Sequence, residues 1–578
     1  MNLSKKFNLK NLNIKEKIGS FSLVSAVFNI YSLLIMSYLM LYLYNGKIGN
    51  ATPYKQQEFL RVTLYAAVAF LCAVVIQFVI RKILKQPAMR LKNNISAITT
   101  TQIFALGFLL VNFISALLSP YGGLVNSKGQ SMVFFGGDAI NSSSRCEGLI
   151  FTLIYVVIFL LGSVYGKLCN ITALVVALTL IAMSGIGLVQ QFGWNIFDIC
   201  YKSLFESGGA AMFVSTIGQF NIYSIAATIL LSFCGGCVLL EKRLNIFTRA
   251  VCLVAFTMGL TLNLWLDVSA GKLAFAIAMF VVFPYMIAKP ATRKGAVSLA
   301  IGTVAALWFN KCVISFYPKE LTFKYDIDFS LGKKYLFLIF VLIAVRVALQ
   351  FFNEIIDHKF ITPAIYGMAL IFGLMILYYF KKNYISTDEQ FNLFNELSAL
   401  SKGELVATSG TYRLANWYAS MEIVKEFPWF GSGPGTFYRA FTDYSLSIYR
   451  IYRPGYWVDL AHNDYVQYLA TIGIVGIVAY MGFLATILYR AARRAAKNPA
   501  IVALVFAVVM FMVQNFFIFS LVATAPTFFV ILGLLEREIR NTPVKPLKEI
   551  LEEWNARRKG LVIVEYDDEY DNYDEDEE

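Results

Sequence analysis

Charge is scarce in this chain: Asp, Glu, Lys and Arg make up 15% of its 578 residues, against about 25% in ordinary soluble domains. Hydrophobic residues supply 58%. That balance excludes an ordinary soluble globule and reads as an integral membrane protein. Histidine is rarer still, with two copies, so a histidine at a polar boundary is a candidate reaction centre. The eight cysteines do not make a disulfide framework in a chain this long. Cys234-Gly235-Gly236-Cys237 has redox spacing but falls inside a predicted span, where small residues serve close helix packing. Cys146 and Cys200 both fall in outward segments, where an oxidising compartment permits a pair. No nucleic-acid motif is present, and the net charge of +13 is concentrated in loops on one side, as membrane topology demands.

A crossing needs about 20 apolar residues. Candidate spans lie near 21–44, 59–80, 99–118, 149–166, 170–192, 220–240, 249–267, 272–288, 296–313, 335–352, 362–380, 464–489, 499–518 and 520–535. The last two can also be read as one helix kinked at Ala525-Pro526. The sequence thus predicts an all-α, polytopic transmembrane bundle of about 14 helices. It divides into a cytoplasmic segment 1–20, helices over 21–380, a large external loop 381–463, helices over 464–535 and an acidic tail 536–578, whose charge density predicts disorder. Basic clusters at Lys5–Lys17, Arg81–Lys92, Lys242–Arg249, Lys289–Lys294 and Arg490–Lys497 fall on one side, which puts both termini in the cytoplasm.

The external loop carries the chemistry. A helix is expected over 411–427, stopped by Pro428, with Arg413 and Trp417 on one face four residues apart. The run Gly431-Ser432-Gly433-Pro434-Gly435 suits either a tight turn or an anion cradle. Arg439, Arg450 and Arg453 follow, interleaved with Tyr438, Tyr444, Tyr449, Tyr452, Tyr456 and Trp457. Such a mixture marks a membrane interface or a surface for sugars and phosphates, since rings pack on apolar C–H faces and guanidinium groups grip phosphate oxygens. His462 then stands just before a long apolar helix, with Asn463 as its expected N-cap and Asp464 in its first turn. A neutral imidazole there can accept a proton near pH 7.

With these residues in hand, the chain resembles the O-antigen ligase and polymerase superfamily of bacterial membrane glycosyltransferases. Four stretches carry the likeness: Thr411 to Trp417, Pro428 to Phe437, Ala461-His462-Asn463-Asp464-Tyr465 with Ile472 to Gly476, and Ser215 to Asn221. Weaker echoes are Arg145 to Gly148 and Gln514-Asn515-Phe516 with Pro526. The resemblance implies a GT-C-like fold in the bacterial cytoplasmic membrane. It also implies metal-independent, inverting transfer of a glycan from an undecaprenyl-pyrophosphate carrier to an acceptor hydroxyl on the outer face, with no cofactor.

On that reading His462 is the general base or acceptor-orienting group, and Arg413 stabilises the departing pyrophosphate. Arg145 is a second cation, and Gln219 and Asn221 orient phosphate or sugar hydroxyls. Trp417, Gly433, Arg439, Asn463 and Asp464 complete the expected substrate surface. One departure is Ala270 where family members often carry an arginine. Lys272 can replace the charge but not the bidentate fork.

The family also contains polymerases and protein O-oligosaccharyltransferases that use the same donor, so the acceptor is a glycan, a lipid or a protein hydroxyl. A polysaccharide or lipid transporter is the non-enzyme alternative, for which charges near the midplane would be expected. Asp326-Ile327-Asp328 has the spacing of a metal-bound nucleotide site, but in an outward loop where nucleotide sugars are absent.

Overall fold

The computed structural model describes residues 22–48, 51–83, 97–126, 128–136, 147–200, 213–266, 268–316, 324–353, 366–367 and 409–544. The expectations for segment 1–20, for nearly all of the span 362–380, for 381–408, for the tail beyond 544, and for Arg145, Cys146 and Asp267 lie outside these residues.

The protein is an all-α polytopic membrane protein. Helix α1 (Leu23–Leu33) continues through a π turn at Leu34–Tyr38 to Leu39–Leu41. It is followed by α2 (Ala51–Ile83), α3 (Thr100–Leu118), α4 (Leu149–Tyr165), α5 (Asn170–Gln191), α6 (Phe220–Val238), α7 (Ile246–Trp265), α8 (Ser269–Ala288), α9 (Pro290–Cys312) and α10 (Lys333–Phe352). The insertion before α13 contributes α11 (Ser409–Glu426) and α12 (Leu446–Tyr452), and the chain re-enters the bundle as α13 (Asp464–Ala492), α14 (Pro499–Asn515) and α15 (Ala525–Asn541). Among the described residues, 10 helices are long and apolar enough to cross a membrane, and α4 and α14 are shorter apolar helices. Two small antiparallel hairpins pair Phe213–Val214 with Gly218–Gln219 and Val313–Phe316 with Lys324–Ile327.

The start of α2 differs from expectation, and the last two candidate spans resolve into separate helices. The second span was expected near 59–80, yet α2 starts at Ala51. Lys55 Nζ is buried and donates to the carbonyls of Leu39, Met40 and Tyr42 at 2.7, 3.0 and 2.8 Å, so it caps the C-terminal end of the first helix. A cation suits that end of a helix dipole. Glu58, which precedes the span expected at 59–80, also sits inside α2, where it accepts a hydrogen bond from Tyr38 Oη at 2.8 Å and pairs with Arg61. At the other boundary, α14 and α15 are an antiparallel pair and not one kinked helix. Asn498 at the start of α14 donates to Glu538 and Thr542 at the end of α15, both at 3.0 Å. Pro526 lies in the first turn of α15, where its missing N–H costs nothing.

Helix α6 is the hub of the bundle: every residue from Ile222 to Val238 is buried. The small residues of its Cys-Gly-Gly-Cys stretch permit this, since a Cβ on Gly236 would stand 2.4 Å from the Ala503 carbonyl oxygen of α14. Both cysteines are free and buried. The insertion has a core of its own, in which Ala415, Ala419 and Ile423 of α11 meet Phe437, Phe441, Tyr449, Ala461 and Ala470. This small core seats the insertion on the first turns of α13.

The end of the bundle where α13 finishes is a layer of bonded arginines. Arg490 donates to Glu536 at 2.6 Å and to Thr101, and Thr99 donates to the same carboxylate. Arg243 pairs with Glu538 at 2.8 Å, and Arg249 and Arg346 share Glu241. Arg293 donates to the carbonyls of Ile287, Ala288 and Asn353. Carbonyls at helix C-termini lack intrahelical partners, and these guanidinium groups supply them.

Candidate active site

At the opposite end, where α13 starts, a cavity of about 310 Å³ is lined by residues from three separate parts of the chain. Phe220 and Asn221 come from the start of α6, and Val268 and Ser269 from the start of α8. Tyr412, Arg413, Asn416, Tyr449, Arg453, Trp457, Val458, Asp459 and His462 come from the insertion before α13. Arg413, Asn221 and His462 were expected from sequence and meet here. Arg453 and Asp459 join them in the same wall.

The position of His462 follows from bonds on both sides of it. Asn416 Nδ2 of α11 donates to the Leu460 carbonyl at 3.0 Å, and Trp417 Nε1 donates to the Ala461 carbonyl at 3.0 Å. Ala461 N donates to Gln467 Oε1 at 2.9 Å. Asn463 then caps α13, its Oδ1 accepting from the backbone N–H groups of Tyr465 and Val466 at 2.9 and 3.1 Å. Between these anchors His462 adopts φ +54°, and Tyr412 across the cavity adopts φ +66°. Positive φ is uncommon for residues other than glycine. Such strain persists only where surrounding bonds over-determine it. The imidazole packs edge-to-face on Phe519, with ring centres 4.9 Å apart.

Asp464 plays a different part from the substrate contact expected of it. It is buried, and its carboxylate accepts from Asn515 Nδ2 at 2.8 Å, Ser520 N at 2.9 Å and Ser520 Oγ at 2.6 Å. These bonds tie the 516–524 turn, which carries Phe519, to the first residue of α13. Asp464 therefore positions the wall behind His462. Trp417 is likewise a clamp on the turn before His462, with its ring against Phe516.

The glycine run is a structural joint. Gly473 has φ +71° and ψ −173°, which breaks α13 in mid-helix. The backbone groups exposed by the break are met by the glycine loop. Ser432 N and Gly433 N donate to the carbonyls of Ala470 and Thr471 at 3.0 and 2.8 Å, and Ile474 N and Val475 N donate to those of Pro428 and Trp429 at 2.8 and 3.2 Å. A Cβ on Gly473 would stand 2.3 Å from the Trp429 carbonyl carbon, and one on Gly431 2.2 Å from that of Thr471. Gly433 thus faces the broken helix and Ser119, away from the cavity wall.

The other expected residues lie nearby without lining the cavity. Gln219 ends the small hairpin just before α6, and Lys272 lies in the first turn of α8. Arg439 pairs with Asp443 at 3.5 Å, on the exposed side of the insertion. Glu147, which precedes α4, has a buried carboxyl that accepts from Tyr155 Oη at 2.7 Å. Burial pushes its pKa up to about 8, Tyr155 opposes that shift, and the Asp464 charge adds to it.

Asp459 was not singled out from sequence, although it is the only carboxylate between Leu446 and Asn463. That isolation, three residues before the histidine, was the available signal.

A family model described as O-Antigen ligase matches residues 225–481. No curated protein matches the chain. The matched stretch includes Arg413, Arg453, Asp459 and His462; Asn221 precedes it.

Proposed function

We propose, from the match of residues 225–481 to the O-antigen ligase family model, that the cavity transfers a glycan from an undecaprenyl-pyrophosphate carrier to an acceptor hydroxyl. The supporting observation is the convergence of Arg413, Arg453, Asn221 and His462 on one cavity at the insertion end of the bundle. The arginine-rich end lies roughly 40 Å away along α13. With that end cytoplasmic, the cavity opens on the outer face of the cytoplasmic membrane, where the lipid-linked donor is displayed.

The acceptor oxygen attacks the anomeric carbon from the side opposite the leaving group. A new C–O bond forms, the bond from that carbon to the pyrophosphate oxygen breaks, and the configuration inverts. His462 takes the proton from the acceptor hydroxyl, and the released pyrophosphate keeps the electron pair. Its growing negative charge is met by Arg413 and Arg453, already aimed into the cavity and so needing no reorganisation. Asn221 orients phosphate or sugar hydroxyls from the start of α6. No step calls for a metal or cofactor.

His462→Ala and Arg413→Ala are expected to leave the protein inserted and folded while abolishing transfer from a lipid-pyrophosphate glycan in a purified assay. Normal turnover by both variants would remove the site. Addition of a chelator is expected to leave the rate unchanged, and strict dependence on a divalent ion contradicts the mechanism.

A further inference from the structure

The surface running outward from the cavity alternates rings and guanidinium groups. Trp457 lines the cavity and is 47% exposed, with the Arg450 guanidinium 4.4 Å from its ring centre. Beside it, Arg453 lies 3.7 Å from the ring of Tyr456 and 4.8 Å from that of Tyr412. Tyr456 is 52% exposed. A guanidinium stacked on a ring fixes the orientation of both.

A membrane belt uses rings for their apolar bodies at headgroup level, and a cation laid over the ring makes that body a poor fit for hydrocarbon. A sugar suits both parts. Its C–H face packs on the ring, and its hydroxyls or carboxylates take the in-plane N–H groups of the guanidinium. A cavity of about 310 Å³ has the capacity of a small-ligand site. It takes the reacting sugar and its phosphates, so further sugars of a chain must lie outside it, and this surface adjoins its wall.

We propose that Trp457, Tyr456 and Tyr412, backed by Arg450 and Arg453, form a glycan platform that holds sugars remote from the reacting bond. The platform rests on the glycosyl-transfer reading of the cavity. Sugars from donor or acceptor share the same chemistry, and varying the length of each in turn distinguishes them.

The test uses the full-length protein in lipid nanodiscs, with lipid-pyrophosphate glycans extracted from producing cells and fractionated by length. Trp457→Leu removes the ring and keeps apolar bulk; Trp457→Phe keeps a ring. Trp429→Leu, at an exposed tryptophan on the glycine loop, controls for interfacial anchoring. For Trp457→Leu the kcat/KM is expected to fall about tenfold with the longest glycans, a ring contact's worth, and progressively less as the glycan shortens. Trp457→Phe recovers most of the loss, and Trp429→Leu shows no length dependence. Length dependence on the donor series assigns the platform to donor sugars, and on the acceptor series to acceptor sugars.

A loss equal at all lengths, no loss at any length, or the same profile in Trp429→Leu overturns the platform. Those results are distinct from failure of the parent reading, which shows as unimpaired transfer by Arg413→Ala and His462→Ala.

Discussion

At the end of the bundle where α13 finishes, Arg490, Arg243 and Arg293 direct their N–H groups to Glu536, Glu538 and the carbonyls of helix ends. Where α13 starts, Arg413 and Arg453 face a cavity, and Arg453 lies over aromatic rings. The same residue type is an architectural tie at one end and a ligand-facing group at the other. What separates Arg453 from those ties is its neighbour: a buried carboxylate or a helix-end carbonyl absorbs a guanidinium, whereas the rings of Tyr412 and Tyr456 orient that of Arg453. The count of arginines therefore says little about function, while the inventory of acids and helix ends around each says a great deal.

The sharpest way to break this contrast is a pair of substitutions. Arg413→Ala is expected to lower turnover by about a hundredfold or more, as removal of a group stabilising developing charge does, with a smaller change in thermal midpoint than Arg490→Ala. Arg490→Ala is expected to do the reverse. It strands Glu536, which is fully buried, and unpairing a buried charge costs about 3–5 kcal/mol, while the protein that remains folded keeps its specific activity. Thermal unfolding in detergent and turnover per folded molecule read the two apart. Similar profiles for both variants would dissolve the distinction.

A second comparison sets Gly473→Ala against Gly476→Ala, two sites on one helix. Gly473 needs φ +71° and abuts the Trp429 backbone, whereas the nearest atoms to a Cβ on Gly476 belong to the Ile472 side chain. The first is expected to lower both yield and activity by detaching the loop that seats the site, and the second to cost less by differential scanning fluorimetry. Trp417→Phe comes next. It removes one hydrogen bond to the Ala461 carbonyl, worth about 1 kcal/mol, and is expected to reduce kcat several-fold through a looser His462 turn.

The smallest effect concerns pH. The Glu147 carboxyl has a folded pKa of about 8, above its unfolded value of 4.5, chiefly because it is buried. It binds its proton more tightly when folded, so its contribution is fully present below the unfolded pKa and is lost as pH rises through about 8. The thermal midpoint of the native protein is expected to decline between these limits, and Glu147→Gln to flatten that decline. An equal slope in both proteins would put the titrating group elsewhere.

Much of this arrangement is legible in the chain because its determinants are local. Asn463 reads as an N-cap from its place before an apolar run, and Arg413 and Trp417 share a face by helical spacing alone. The start of α2 is not legible, because Lys55 is made helical by three carbonyls of the preceding helix, a contact no local pattern records. The glycine run was open to two readings. The deciding fact, the break at Gly473, lies some forty residues further along the chain. Arg453 and Asp459 sit in the irregular stretch between α12 and α13, where no period assigns a direction to a side chain.

The interruption of α13 has a mechanical consequence. Because residues 428–433 and 470–475 exchange backbone bonds in both directions, the insertion is stitched to a membrane-embedded rod by main chain and not by side-chain contact alone. A surface appendage thereby inherits the stiffness of the bilayer-spanning scaffold.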